Sequence, residues 1–84
     1  MKRKDAPPDD WVDEEIVDRA IGRALNWTIR EAERFQVPRP LTPAERRAVA
    51  ERLAARGLGA HYLMRACRIT GTNAKQLLQE VTAA

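Results

Sequence analysis

The sequence predicts an all-α protein, a long N-terminal helix followed by a unit of three short helices. Three observations point there. Aromatic residues are scarce, β-branched runs are missing and alanine is abundant, which suits closely approaching helices better than a sheet. A proline cluster, Val37-Pro-Arg-Pro-Leu-Thr-Pro43, interrupts the chain once, because each proline fixes its own φ and pushes the residue before it toward extended geometry. Downstream of that joint, helix start and stop signals alternate at short intervals. At 84 residues the chain is long enough for one domain, which buries roughly 60 to 65 per cent of its unfolded surface.

Residues 1–9 read as a disordered tail, basic at first and then rich in acid and proline. A helix is expected over 10–36, with Asp10 as its cap and Asp13, Glu14 and Glu15 in the first turn, where exposed N–H groups and the helix dipole favour carboxylates. On a helical wheel Ile16, Val17, Ala20, Ile21, Ala24, Leu25, Thr28, Ala32 and Phe35 cover about half the circumference, bordered by Trp27 and Ile29, with Glu15, Arg19, Asn26, Arg30 and Glu33 opposite. So wide an apolar arc fits a helix central to the monomer core, or one shared between the downstream helices and a second copy of the chain. In the second case Val17, Ile21, Leu25 and Phe35 are the dimerisation candidates. Gly22 weakens the middle by about 1 kcal/mol relative to alanine, so a break near Gly22 to Asn26 is compatible with the pattern.

After the proline-rich joint at 37–42, residues 43–84 form the expected three-helix unit. Thr42-Pro43-Ala44-Glu45 is a capping box with proline at the first helical position. Val49 and Leu53 are the main apolar pair of that helix, and Gly57 supplies the left-handed geometry that ends it. A second short helix, about Ala60 to Cys67, is expected to turn Leu63, Met64 and Cys67 inward. Thr70 caps a third, in which Ala74, Leu77, Leu78 and Val81 recur at i, i+3, i+4 and i+7.

Composition narrows the function. There is no serine, one histidine (His61) and one cysteine (Cys67), so a Ser-His-Asp set is excluded, a zinc site lacks its customary ligands, and no cofactor is expected. The acids between Asp9 and Asp18 lack the glycine-containing turn and ligand ladder of a calcium loop, and serve better as caps and solvated charge. A lone cysteine fits a reducing, cytoplasmic compartment. No signal peptide is expected at the basic start, and no apolar run approaches the ~20 residues that span a bilayer. Residues 1–40 hold eight Lys or Arg and nine Asp or Glu, a balance of −1; residues 41–84 hold seven and three, a balance of +4. A basic second half suits either a phosphate-facing surface or ordinary solvation.

The stretch LTPAERRAVAERLAARGLGAHYLMRACRITGTNAKQLL resembles the homeodomain-like helix-turn-helix units of bacterial and phage regulators, recombinases and transposases. The resemblance spans roughly residues 41–81, and Leu63, Cys67, Ile69, Ala74 and Leu77 fall where that family places core residues. It implies that the last helix enters the major groove of double-stranded DNA while the preceding helix crosses the backbone. Two positions depart from the pattern. Met64 stands where a small residue lets the two helices approach, and Arg68 stands where the turn favours glycine, which implies a left-handed residue at a cost of about 1 kcal/mol.

On this resemblance the base-contact candidates are Thr72, Asn73, Lys75, Gln76 and Gln79, since Asn and Gln pair bidentately with adenine and Lys reaches guanine or phosphate. Arg46, Arg47, Arg65 and Arg68 are the phosphate-contact candidates, positioning the protein without reading sequence. The implied function is a small regulator, dimeric through the long helix. The alternative is a protein-interaction module without DNA binding, in which the acidic long helix grips a polymerase subunit or another regulator.

Overall fold

The computed structural model describes residues 8–25 and 36–83. Within them lie four helices and no strand: α1 (Glu14–Leu25), α2 (Pro43–Ala55), α3 (Ala60–Cys67) and α4 (Gly71–Thr82). α2, α3 and α4 pack pairwise on one another, and α1 packs on α2 and α3 but does not reach α4. α1 and α4 therefore border the α2–α3 pair separately.

The first helix starts later than the sequence suggests. Asp10 is not its cap; Asp13 occupies that place, its Oδ1 accepting the N–H of Glu15 at 3.0 Å and its carbonyl accepting that of Val17 at 3.0 Å. The reason lies at the start of α2. The Asp9 carbonyl accepts the N–H of Ala44 at 3.1 Å, the Trp11 carbonyl accepts the Thr42 hydroxyl at 2.5 Å, and the Asp13 N–H donates to Glu45 Oε2 at 2.8 Å. These bonds hold residues 9–13 against the α2 N-terminus, where they cannot also wind into a helix. α1 has 12 residues, and Gln36 is not helical. The expected helical stretch over Trp27, Thr28, Ile29, Ala32 and Phe35 lies outside the described residues, as does the tail at 1–7.

The apolar face of α1 turns inward. Ile16, Val17, Ala20, Ile21 and Ala24 are buried, and Leu25 packs beside them. This corrects the assignment of Val17 and Ile21 to a dimer interface: Val17 is fully buried and Ile21 is 7% exposed, both within one chain. The arc is wide because it packs on α2 and α3 together.

The α2 capping box forms as written, with Glu45 N–H on Thr42 Oγ1 at 3.1 Å and Thr42 N–H on Glu45 Oε1 at 2.8 Å. Val49, Ala50 and Leu53 are its buried apolar residues. At its end Gly57 takes φ 74°, and the N–H groups of Gly57 and Leu58 return to the carbonyls of Ala54 and Leu53 at 2.9 and 3.0 Å. In α3, Leu63 and Ala66 are buried and Cys67 is half-buried. Met64, expected inward, is an exposed residue; its inward place belongs to Ala66, whose spacing from Leu63 matches the helical period. The Met64 side chain lies beside Gly71, where a Cβ would meet Met64 Sδ at 3.5 Å, an ordinary contact. The chain then turns through Arg68 at φ 54°, ψ 48°, and Thr70 caps α4 by accepting the Asn73 N–H at 3.2 Å. Ala74 is buried under α4, with Leu77, Leu78 and Val81 half-buried around it.

Candidate nucleic-acid interface

Because Ala74, Leu77, Leu78 and Val81 face α2 and α3, the opposite side of α4 is turned to solvent. Thr72, Asn73, Lys75, Gln76 and Gln79 are all exposed. Thr72, Lys75, Gln76 and Gln79 follow the i, i+3, i+4, i+7 spacing of one helical face, so four polar tips stand in a row along α4. Asn73 flanks the row at the capped end. The chemistry of this face is that of neutral donors and acceptors with one cation.

The arginines expected to meet phosphate are more dispersed. Arg47, on α2, is half-exposed, and its Nη1 lies 3.8 Å from Glu80 Oε1 on α4. Both partners are in solvent, so the pair is weak and opens readily to a stronger anion. Arg46 lies one residue earlier on α2, where its Nη1 donates to the Leu41 carbonyl at 2.9 Å. Arg65 is half-buried on α3. Arg68 is exposed in the left-handed turn, three residues before α4 begins at Gly71.

One cation escaped the sequence analysis. Arg23, on α1, donates through Nη2 to the carbonyl of Ala66 in the last turn of α3. Burial lowers its pKa, and the neighbouring Arg68 lowers it further. Its Nε is buried and has no hydrogen-bond partner. Arg23 borders the apolar arc in sequence, three residues after Ala20, but its partner lies 43 residues away and no local pattern announces it. Cys67, in the same region, has its thiol pushed up to about 12 by burial, with Arg46 and Arg23 pulling the other way. It packs as a small apolar side chain and is not a thiolate.

Among the described residues no three His, Cys, Asp or Glu side chains converge as metal donors would, and no helix is long and apolar enough to cross a membrane. Comparison with protein-family models, with curated proteins and with solved structures finds no match for the chain.

Proposed function

We propose that the chain is a DNA-binding protein, a small regulator of bacterial or phage type, in which α2, α3 and α4 act as a helix-turn-helix unit and α4 enters the major groove. The observation that carries this reading is the exposed row on α4. Thr72, Lys75, Gln76 and Gln79 lie together on a helix with hydrogen-bonding tips, one of them cationic, and α1 leaves that helix alone. A groove-reading helix needs an uncovered face whose side chains distinguish base edges, and Gln76 and Gln79 suit adenine. Arg47 and Arg68 on adjoining elements supply phosphate contacts.

Two substitutions test the division of labour. Gln76→Ala should weaken binding to a preferred duplex by about 1 to 3 kcal/mol and leave nonspecific binding nearly unchanged. Arg47→Ala should weaken all duplexes alike and lower the salt slope by about one. Circular dichroism of each variant checks that the fold is retained. If both substitutions act equally on every sequence, or neither acts, α4 is a packed helix with a solvated face.

A second reading, a protein-interaction module, draws on the other end of the molecule. Trp11 is 53% exposed beside exposed Val12. An aromatic anchor of that kind suits a protein partner, and Trp11→Ala would then abolish partner binding without touching DNA.

A further inference from the structure

We propose that Glu80 restrains the phosphate contact of Arg47, so that the protein binds duplex DNA more weakly than its cations alone allow. The contact lies within the proposed DNA-binding surface, and the inference rests on that reading.

Glu80 is the one carboxylate of α4 and stands in its last turn. Neither its own helix nor a nucleic-acid ligand favours it there. The carbonyls left open at a helix C-terminus repel a carboxylate, and phosphate on the adjoining face repels it as well. Its position makes the second effect local. Glu80 follows Gln76 by four residues and Gln79 by one, so it flanks the exposed row of Thr72, Lys75, Gln76 and Gln79. Leu77, three residues before Glu80, packs against the core. Glu80 therefore marks the border where the exposed row meets the packed face of α4.

Arg47 reaches that border from α2, with its Nη1 3.8 Å from Glu80 Oε1, and both side chains are about half exposed. The fold does not depend on the pair. α2 and α4 already pack on one another within an apolar core that holds Val49, Leu53 and Ala74, and an ion pair in solvent adds little to that. Its consequence falls on binding instead. A duplex phosphate draws on the same guanidinium donors as the carboxylate does. To give them to phosphate, Arg47 must leave Glu80, and a bare carboxylate then remains beside the row that faces the groove. Each encounter with DNA sets one phosphate contact against one lost ion pair and one approach of like charges. Glu80→Gln keeps the shape of the side chain and removes both opposing effects. Because phosphate contacts do not read sequence, the restraint applies to all duplexes alike.

The test is fluorescence anisotropy with one labelled mixed-sequence duplex at fixed low salt, using the full chain as wild type, Glu80→Gln, Arg47→Gln and the double variant. Circular dichroism shows that each is folded. Glu80→Gln should tighten binding, and the factor should be about two- to five-fold greater with Arg47 present than in the Arg47→Gln background, a ratio set by the strength of a surface ion pair. An equal gain in both backgrounds would show that Glu80 only repels phosphate, and overturns the restraint while DNA binding stands. Unchanged or weaker binding by folded Glu80→Gln overturns it in the same way. If none of the four proteins binds the duplex, the DNA reading falls and the restraint falls with it.

Discussion

At the N-terminus of α2, arginine meets carboxylate; at the C-terminus of α3, arginine meets arginine. Around Glu45 every polar group is satisfied within the chain. Its Oε1 accepts from Thr42 N–H and Arg39 Nη1, and its Oε2 from Asp13 N–H and Arg39 Nη2, all at 2.7 to 2.8 Å, while the carboxylate is fully buried. Around Arg68 the backbone is left-handed, its charge acts against that of Arg23, and Arg23 Nε lacks a partner. The two regions divide the work of the molecule. The first closes the chain on itself, binding the 9–13 segment and the proline joint to α2. The second leaves charge and strain unspent, which is the condition a ligand can relieve.

The strongest way to break this contrast is to remove Glu45. Glu45→Ala leaves the Arg39 fork and the N–H groups of Asp13 and Thr42 without their acceptor, and takes away half of the capping box. A loss of about 3 kcal/mol or more is expected in urea denaturation followed by circular dichroism. A loss below about 1 kcal/mol would mean that solvent replaces the carboxylate, and that this junction is no more closed than the other.

Acid should reproduce that effect reversibly. Burial alone would raise the Glu45 pKa, but the Arg39 hydrogen bonds and the N–H groups of Thr42 and Asp13 outweigh it and hold the carboxyl at about 2, below its ordinary 4.5. A group lowered on folding stabilises the fold fully above its unfolded value, and that contribution is lost as pH falls through the folded one. The stability gap between wild type and Glu45→Gln should therefore be constant above pH 4.5 and shrink by about 3 kcal/mol on the way down to pH 2. A gap that does not change with pH would contradict the buried pair.

The opposite sign is expected at the turn. Arg68→Gly relieves a left-handed residue at φ 54° and should raise stability by roughly 0.5 to 1 kcal/mol, since the gain of about 1 to 2 kcal/mol in strain is offset by glycine's larger chain entropy. The same change should weaken duplex binding. A variant that is both more stable and a better binder would remove the link between strain and function at this site.

Much of the α2–α4 region was legible because its signals are local. Thr42, Glu45, Gly57 and Thr70 act on backbone within a few residues, so their spacing alone places three helix ends. The left-handed geometry of Arg68 was legible only through the resemblance, whose turn favours glycine at that place. What was not legible depends on distance along the chain. Asp10 looked like a cap because nothing nearby shows that Asp9, Trp11 and Asp13 are held by Ala44, Thr42 and Glu45. Val17 and Ile21 looked free for a second copy because a helical wheel gives the width of an apolar face and not the number of neighbours that cover it. Met64 looked inward beside Leu63 and Cys67, whereas Ala66 takes that place and Met64 is exposed. Arg23 was overlooked because its acceptor, the Ala66 carbonyl, lies 43 residues away and belongs to the backbone.

The proposed function requires that cations of α2, α3, the turn after α3 and α4 meet nucleic-acid phosphate. Affinity for mixed duplex DNA, measured from low to moderate salt, tests it directly. With about three to five phosphate contacts from Arg46, Arg47, Arg65, Arg68 and Lys75, the logarithm of affinity should fall against the logarithm of salt with a slope of roughly −3 to −4.5 per monomer bound. A slope near zero, or no association even at the lowest salt, would contradict the account and leave the Trp11 end of the molecule as the place to look for a partner.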